Sequence, residues 1–183
     1  MKCPVCLKTE LEARELEPDL FAAVCSDCNG KWISFASYEK WLEGLDGPLP
    51  NIDAEPASLT IPEFELARLC PECRRILVKY HVGKEVAFQI DRCGSCAGVW
   101  LDDNEWETLR SRNLHDDLNR VFTDHWQAEV ARDETRKSLE QIYLKKFGDA
   151  DYERIREFKD WVDAHEKKNE IISYVRDANP LQF

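Results

Sequence analysis

The sequence predicts a small α+β protein: two tandem copies of a β-hairpin plus short helix, each closed on four cysteines, then an α-helical bundle tail. Three observations predict it. All eight cysteines fall in Cys-x-x-Cys pairs. The pairs recur in the same order, with the same flanking residues, in two copies within residues 1–110. From residue 103 onward apolar residues recur at threes and fours, the period of an amphipathic helix.

The repeat sets the organisation. Cys3/Cys6 and Cys70/Cys73 are 67 positions apart, and Cys25/Cys28 and Cys93/Cys96 are 68 apart. One inserted residue accounts for the difference. Beyond the second pair the register holds: Gly30 matches Gly98, Trp32 matches Trp100, Ile33 matches Leu101 and Tyr38 matches Trp106. The expected divisions are 1–46 for the first copy, 47–66 for a linker, 67–110 for the second copy and 111–183 for a helical domain. The linker carries Pro48, Pro50, Pro56 and Pro62. Proline removes donors and restricts its predecessor, so an extended, semi-rigid segment is expected.

Within each copy the residues between the cysteine pairs read as a hairpin. In copy two, the runs 76–82 and 85–90 are strand-like, and Gly83-Lys84 can turn. Copy one takes its turn near Pro18-Asp19. After the second pair the chain must leave sharply, and Gly30 and Gly98 are expected to supply a positive φ. Trp32 and Trp100 then offer apolar area. Asp102 reads as a helix N-cap with Glu105 at capping-box spacing and Leu101 stapled onto Trp106. Ser34 caps the matching helix of copy one, with Ile33 stapled onto Tyr38.

In the tail, Leu114, Leu118, Val121, Phe122, His125 and Trp126 suggest one helix, and Leu139, Ile142, Tyr143 and Phe147 continue the pattern. Gly148 stops it, and Asp149 or Asp151 caps the next helix, which carries Tyr152, Ile155, Phe158, Trp161 and Val162. Ile171, Ile172, Tyr174 and Val175 mark the last. The tryptophans Trp32, Trp100, Trp106, Trp126 and Trp161 read as packing residues.

Spacing and chemistry together point to metal. The chain opens Met-Lys-Cys-Pro with no apolar leader, and no apolar run approaches the ~20 residues of a membrane span. A cytoplasmic setting is therefore expected, where thiols stay reduced and ligate metal rather than form disulfides. The ligand pairs are separated by 18 residues in copy one and 19 in copy two, the spacing at which two Cys-x-x-Cys turns complete a tetrahedral zinc site. Cys3, Cys6, Cys25 and Cys28 are expected to hold one Zn²⁺, and Cys70, Cys73, Cys93 and Cys96 a second. Iron in a rubredoxin-like site would use the same ligands. His81 lies between the ligand pairs of copy two, but four thiolates already suffice. A ribbon of about 35 residues lies below the ~40-residue size at which a metal or disulfide usually becomes necessary. Structural zinc supplies about 10–16 kcal/mol of apparent binding free energy.

The run from Cys70 to Glu105 resembles the TFIIB-type zinc-ribbon family. Cys70, Pro71, Cys73, Ile90, Asp91, Cys93, Cys96, Gly98, Trp100, Leu101, Asp102 and Glu105 carry its pattern. The resemblance implies a zinc-ribbon fold and zinc binding, with no activity attached. Copy one keeps the ligands, Gly30 and Trp32, but Ala23-Val24 replace the Ile-Asp step, and Ser34 and Ser37 replace the two acids. The family's surface use of those acids is not expected there. The linker and the tail lie outside the resemblance.

The formal charge is −11, from 25 basic and 36 acidic residues. Two tetrathiolate zinc sites would take it to roughly −15. Such a chain repels a phosphate backbone on average, which disfavours nucleic acid as a partner. Arg68, Arg74, Arg75 and Lys79 form the one local basic group that would serve it. A non-enzymatic protein that binds a protein partner is the leading expectation, with no catalytic residues. A nucleic-acid or RNA-polymerase-associated regulator is the runner-up, and a Cys-x-x-Cys redox enzyme comes third, because no pair sits in a thioredoxin-like context. No membrane association is expected.

Overall fold

The computed structural model describes residues 1–47, 49, 67–83, 86–178 and 180. The proline linker read at 47–66 and the Lys84 half of the second turn fall almost wholly outside these residues. The described chain divides into two compact units, Met1–Val130 and Ala131–Phe183. The expected boundary at 110/111 therefore falls inside the first unit.

Each copy contributes a hairpin and a short third strand. Copy one gives β1 (Leu11–Glu17), β2 (Leu20–Cys25) and β3 (Lys31–Ile33), followed by α1 (Phe35–Glu43). Copy two gives β4 (Leu77–Gly83), β5 (Val86–Cys93) and β6 (Val99–Leu101), followed by α2 (Glu105–Ser111). The first hairpin closes with Glu17 opposite Leu20, around Asp19 at φ 65°, as the Pro18-Asp19 reading expected.

The six strands form one sheet, in the order β1-β2-β3-β6-β5-β4. Its centre is the antiparallel pairing of β3 with β6, where Trp32 faces Trp100, Lys31 faces Leu101 and Ile33 faces Val99. Because Lys31 corresponds to Val99 and Ile33 to Leu101 in the repeat, this pairing is isologous. The copies meet about a local two-fold axis, as subunits of a C2 dimer do.

Successive side chains of a strand point to opposite faces, and this sheet uses both. Trp32 and Trp100 face one side and join Cys3, Cys25, Cys70, Cys93 and Leu77 in one apolar cluster. Ile33, Val99 and Leu101 face the other side and join the larger core with Leu20, Ile90, Trp41 and Trp106. That second face is covered by α1, α2, α3 (Leu118–Val121) and the first turns of α4 (Asp124–Phe147).

The read helix over Leu114–Trp126 breaks between Val121 and Asp124, so Leu118 and Trp126 reach the core from separate helices. Trp126 donates its indole N–H to the Val82 carbonyl at 2.9 Å. The Gln127 amide accepts from His81 N at 3.3 Å and donates to His81 O at 2.8 Å, occupying backbone groups on the outer edge of β4. Gly83, at φ +71°, is packed against Val130, and a Cβ there would lie 2.4 Å from Val130 Cγ2.

Polar contacts on the helical face also tie copy one to copy two and to the segment that follows it. Tyr38 donates to the His115 carbonyl (2.8 Å) and accepts from Leu118 N (3.1 Å). Trp106 donates its indole N–H to Glu17 at 3.1 Å. Trp41 meets Trp106 edge-on with ring centroids 6.2 Å apart.

The second unit holds the rest of α4 together with α5 (Asp149–Asp163) and α6 (Lys168–Arg176). The helical tail is present, but its apolar stripes are not enclosed. Val162 is its one buried hydrophobic residue among those described. Trp161, read as a packing residue, is 53 % exposed. Gly148, at φ +76°, precedes α5 as its N-cap, so Asp149 and Asp151 lie within the first turn rather than capping it. No helix among the described residues is long and apolar enough to cross a membrane.

Candidate metal centres

Each half-site is a tight turn built the same way. In every Cys-x-x-Cys turn the residue after the second cysteine is left-handed: Leu7 (φ 63°), Asn29 (56°), Arg74 (62°) and Ala97 (58°). Its N–H returns to the carbonyl of the first cysteine at 3.0 Å in all four. In the second turn of each copy, the first cysteine N–H also reaches the glycine carbonyl, Cys25 to Gly30 and Cys93 to Gly98, both at 2.9 Å.

Gly30 and Gly98 therefore do not take the positive φ expected of them; the preceding Asn29 and Ala97 do. What requires glycine is close approach. A Cβ on Gly30 would lie 2.1 Å from Trp100 Cζ2, and one on Gly98 would lie 2.2 Å from Trp32 Cζ2. Each copy's glycine is the floor on which the other copy's indole rests.

The turns bring the cysteines together within each copy. The sulfurs of Cys3, Cys6, Cys25 and Cys28 lie within 4.8 Å of one another, and so do those of Cys70, Cys73, Cys93 and Cys96. Cys3 and Cys28 sulfurs are 3.6 Å apart and Cys6 and Cys25 sulfurs 3.8 Å. In the second cluster Cys70–Cys96 is 3.5 Å and Cys73–Cys93 is 3.4 Å. A tetrahedron of thiolates at ~2.3 Å from zinc has edges of about 3.8 Å. The spacing suits that ion and is too long for an S–S bond of ~2.05 Å.

Backbone N–H groups support the first sulfurs: Cys6 N lies 3.3 Å from Cys3 Sγ, and Cys73 N 3.4 Å from Cys70 Sγ. Such donors stabilise thiolate and orient it toward a metal. Burial pushes the Cys6 thiol up to about 11, with the Cys28 sulfur opposing it and those of Cys25 and Cys3 reinforcing it. Burial acts the same way on Cys93, but there the N–H groups of Cys96 and Ser95, together with the Cys73 and Cys96 sulfurs, outweigh it and bring the thiol down to about 7. Four sulfurs this close hold together as thiolates only around a cation. The two groups can each hold one zinc ion, and zinc bound there would staple both ends of each hairpin.

Residues 69–112 match the model of the TFIIB-type zinc-ribbon family, described as a transcription factor zinc-finger. This segment is a TFIIB-type zinc ribbon. The first copy repeats its cysteine cluster and turn geometry, which supports a second ribbon there. No curated protein matches the chain significantly, and no solved structure does.

The ribbon's acids prove to be internal. Asp91, Asp102 and Glu105 are 4 %, 7 % and 2 % exposed. Arg68, itself buried, donates to Asp91 and to Asp102, each at 2.8 Å. Trp100 donates its indole N–H to Asp102 at 3.0 Å. Asp102 therefore spends its carboxylate on Arg68 and Trp100 and does not cap α2, whose N-cap is Asn104 at φ 68°. Half of the expected capping box survives, because Glu105 accepts from the Asp102 backbone N–H at 2.8 Å. Burial, reinforced by the Asp102 charge, raises Glu105 to about 8. Burial raises Asp91 as well, against the pull of Arg68.

In the register of Cys25 with Cys93 the Ile-Asp step falls on Ala22-Ala23 rather than Ala23-Val24, so copy one has Met1, Ala23, Ser34 and Ser37 where copy two has Arg68, Asp91, Asp102 and Glu105. It lacks this network, and its Ser34 instead caps α1 by accepting from Ser37 N at 3.1 Å. Trp32 compensates for the missing acid by donating to Glu72 of the other copy at 3.1 Å. Arg68 thus leaves the basic group read from sequence, where Arg74 and Arg75 stay exposed. His81 stands outside both sulfur clusters, beside Gln89 at 2.6 Å.

Proposed function

We propose that the chain is a zinc-stapled, non-enzymatic interaction protein that binds a protein partner through its helical tail. The observation that carries this reading is on α4, α5 and α6. Among the described residues of the second unit, ten large hydrophobic side chains are 43–60 % exposed. Soluble proteins do not usually leave apolar surface on this scale uncovered unless something binds it. The metal clusters support the same reading from the other side. Four cysteines per ion fill a tetrahedral zinc, and a catalytic zinc keeps a position open for water or substrate. The ions then serve folding, and the ribbon unit becomes a rigid mount.

Nucleic acid as partner has less support. Arg68 is committed to Asp91 and Asp102, and the ribbon unit holds 24 acidic against 14 basic residues over 1–130.

Cross-linking in intact cells, with mapped sites, tests the proposal. Cross-links from residues 131–176 to a protein, of this or another sequence, are expected. Their absence, with zinc content normal, would overturn it.

A further inference from the structure

Among its described residues, the second unit encloses little of its own apolar surface. Its ring contacts join neighbours in sequence: Tyr143 with Phe147, Phe158 with Trp161, and Trp161 with His165. Its ion pairs do the same. Arg136–Asp133, Arg154–Asp151 and Lys159–Asp163 each run along a single helix at i,i+3 or i,i+4 spacing. Local pairs of this type contribute only about 0.2–0.5 kcal/mol each. Helices of 15 and 9 residues are marginal alone in water, and most helical stability comes from packing an apolar face. Val162 alone does not supply that packing.

We infer that the missing packing comes from a second copy of the same chain, joined tail to tail into a homodimer. This rests on the interaction reading above and names its partner. Two features select a like partner. The first is charge. Residues 131–183 carry 11 basic and 12 acidic residues, nearly neutral, while residues 1–130 carry 14 basic and 24 acidic. Two tails meet without net repulsion, and two ribbon units repel. A strongly acidic or basic partner finds no complementary field on the tail.

The second is area. Leu139, Tyr143 and Phe147 recur at i,i+4 on α4, and Ile155, Phe158 and Trp161 at i,i+3 on α5. The aromatic ones among these side chains offer ~150–250 Å² each when free, and the aliphatic ones somewhat less. Ten of them near half exposure present on the order of 800 Å² per chain, the amount one partner buries in a standard interface. Aliphatic and aromatic stripes of this sort complement themselves, as an isologous contact requires.

Sedimentation equilibrium of the full-length, zinc-loaded chain tests this. A dimer mass is expected from micromolar concentration upward. Phe158→Glu with Trp161→Glu should weaken the dimer at least about 100-fold, with two zinc ions per chain retained. Glu153→Lys, an exposed change outside the aromatic stripe, should leave the dimer intact. A wild-type monomer at about 100 µM, where a micromolar Kd would give dimer, overturns the inference without reference to any variant. So does a dimer that survives the double substitution. If the wild-type chain is monomeric yet its tail cross-links to a different protein in cells, self-association fails and the interaction reading stands. If it is monomeric and no cross-links form, both fail.

Discussion

Gly30 of the first ribbon lies directly against the indole of Trp100 in the second, and Gly98 lies against Trp32 in return. The two contacts are mates across the β3–β6 pairing. They explain why Gly-x-Trp is written twice: each motif is half of a reciprocal packing contact.

Gly30→Ala should destabilise the ribbon unit by about 2–4 kcal/mol, since the new methyl must displace a buried ring. Trp100→Leu combined with Gly30→Ala should recover part of that loss, whereas Trp32→Leu should not. The check is a double-mutant cycle from denaturant melts. Coupling within a copy instead of across copies would contradict the geometry.

Metal analysis should return two zinc ions per chain. Cys25→Ser should remove one of them and also weaken the other, because the sheet is continuous from β1 to β4. The readout is zinc affinity of the remaining site by competition with a chromophoric chelator. A second-site affinity unchanged from wild type would show that the copies fold independently. Full chelation should unfold residues 1–130 as one cooperative unit.

Arg68→Ala should cost about 3–5 kcal/mol, because it strands the buried carboxylates of Asp91 and Asp102. Arg74→Ala, at an exposed knuckle position, should cost about 0.5 kcal/mol or less. Thermal melts at saturating zinc compare the two. Equal shifts would mean that the ion-pair network contributes nothing.

Glu105 makes stability depend on pH. Its folded value, about 8, lies above the ordinary 4.5. The folded state holds a proton that the unfolded chain has already lost. The contribution is therefore full below pH 4.5, declines as pH rises, and is gone above pH 8. Glu105→Gln keeps an acceptor for the Asp102 N–H and cannot ionise. Relative to wild type, the variant should gain on the order of 2–3 kcal/mol between pH 6 and 8. Denaturant melts at saturating zinc across that range provide the test, and parallel curves for the two proteins would refute it.

Much of the site was legible because zinc ligation is a spacing rule. Eight cysteines at fixed intervals leave few ways to close two tetrahedra, and the hairpins follow from joining the halves. The seam between copies was not read, although Lys31-Trp32-Ile33 and Val99-Trp100-Leu101 carried a signal. Runs with large apolar residues on both faces do not belong on an open sheet edge. The glycines misled because positive φ is their commonest use, while here the left-handed residues are Asn29 and Ala97. Asp102 and Glu105 matched a capping box in spacing, but spacing cannot show that Arg68, 34 residues upstream of Asp102, competes for the carboxylate. In the tail, periodicity located apolar stripes correctly and could not say what they face.

The β3–β6 pairing carries one more implication. Fused in a single polypeptide, two half-particles meet at an effective concentration set by the span of their tether rather than by the amount of protein in solution. Dilution cannot part them. Cleavage between residues 47 and 66 would turn that permanent union into an ordinary bimolecular equilibrium. Each fragment would then bear an unpaired strand and a bare indole, ready to recapture its complement.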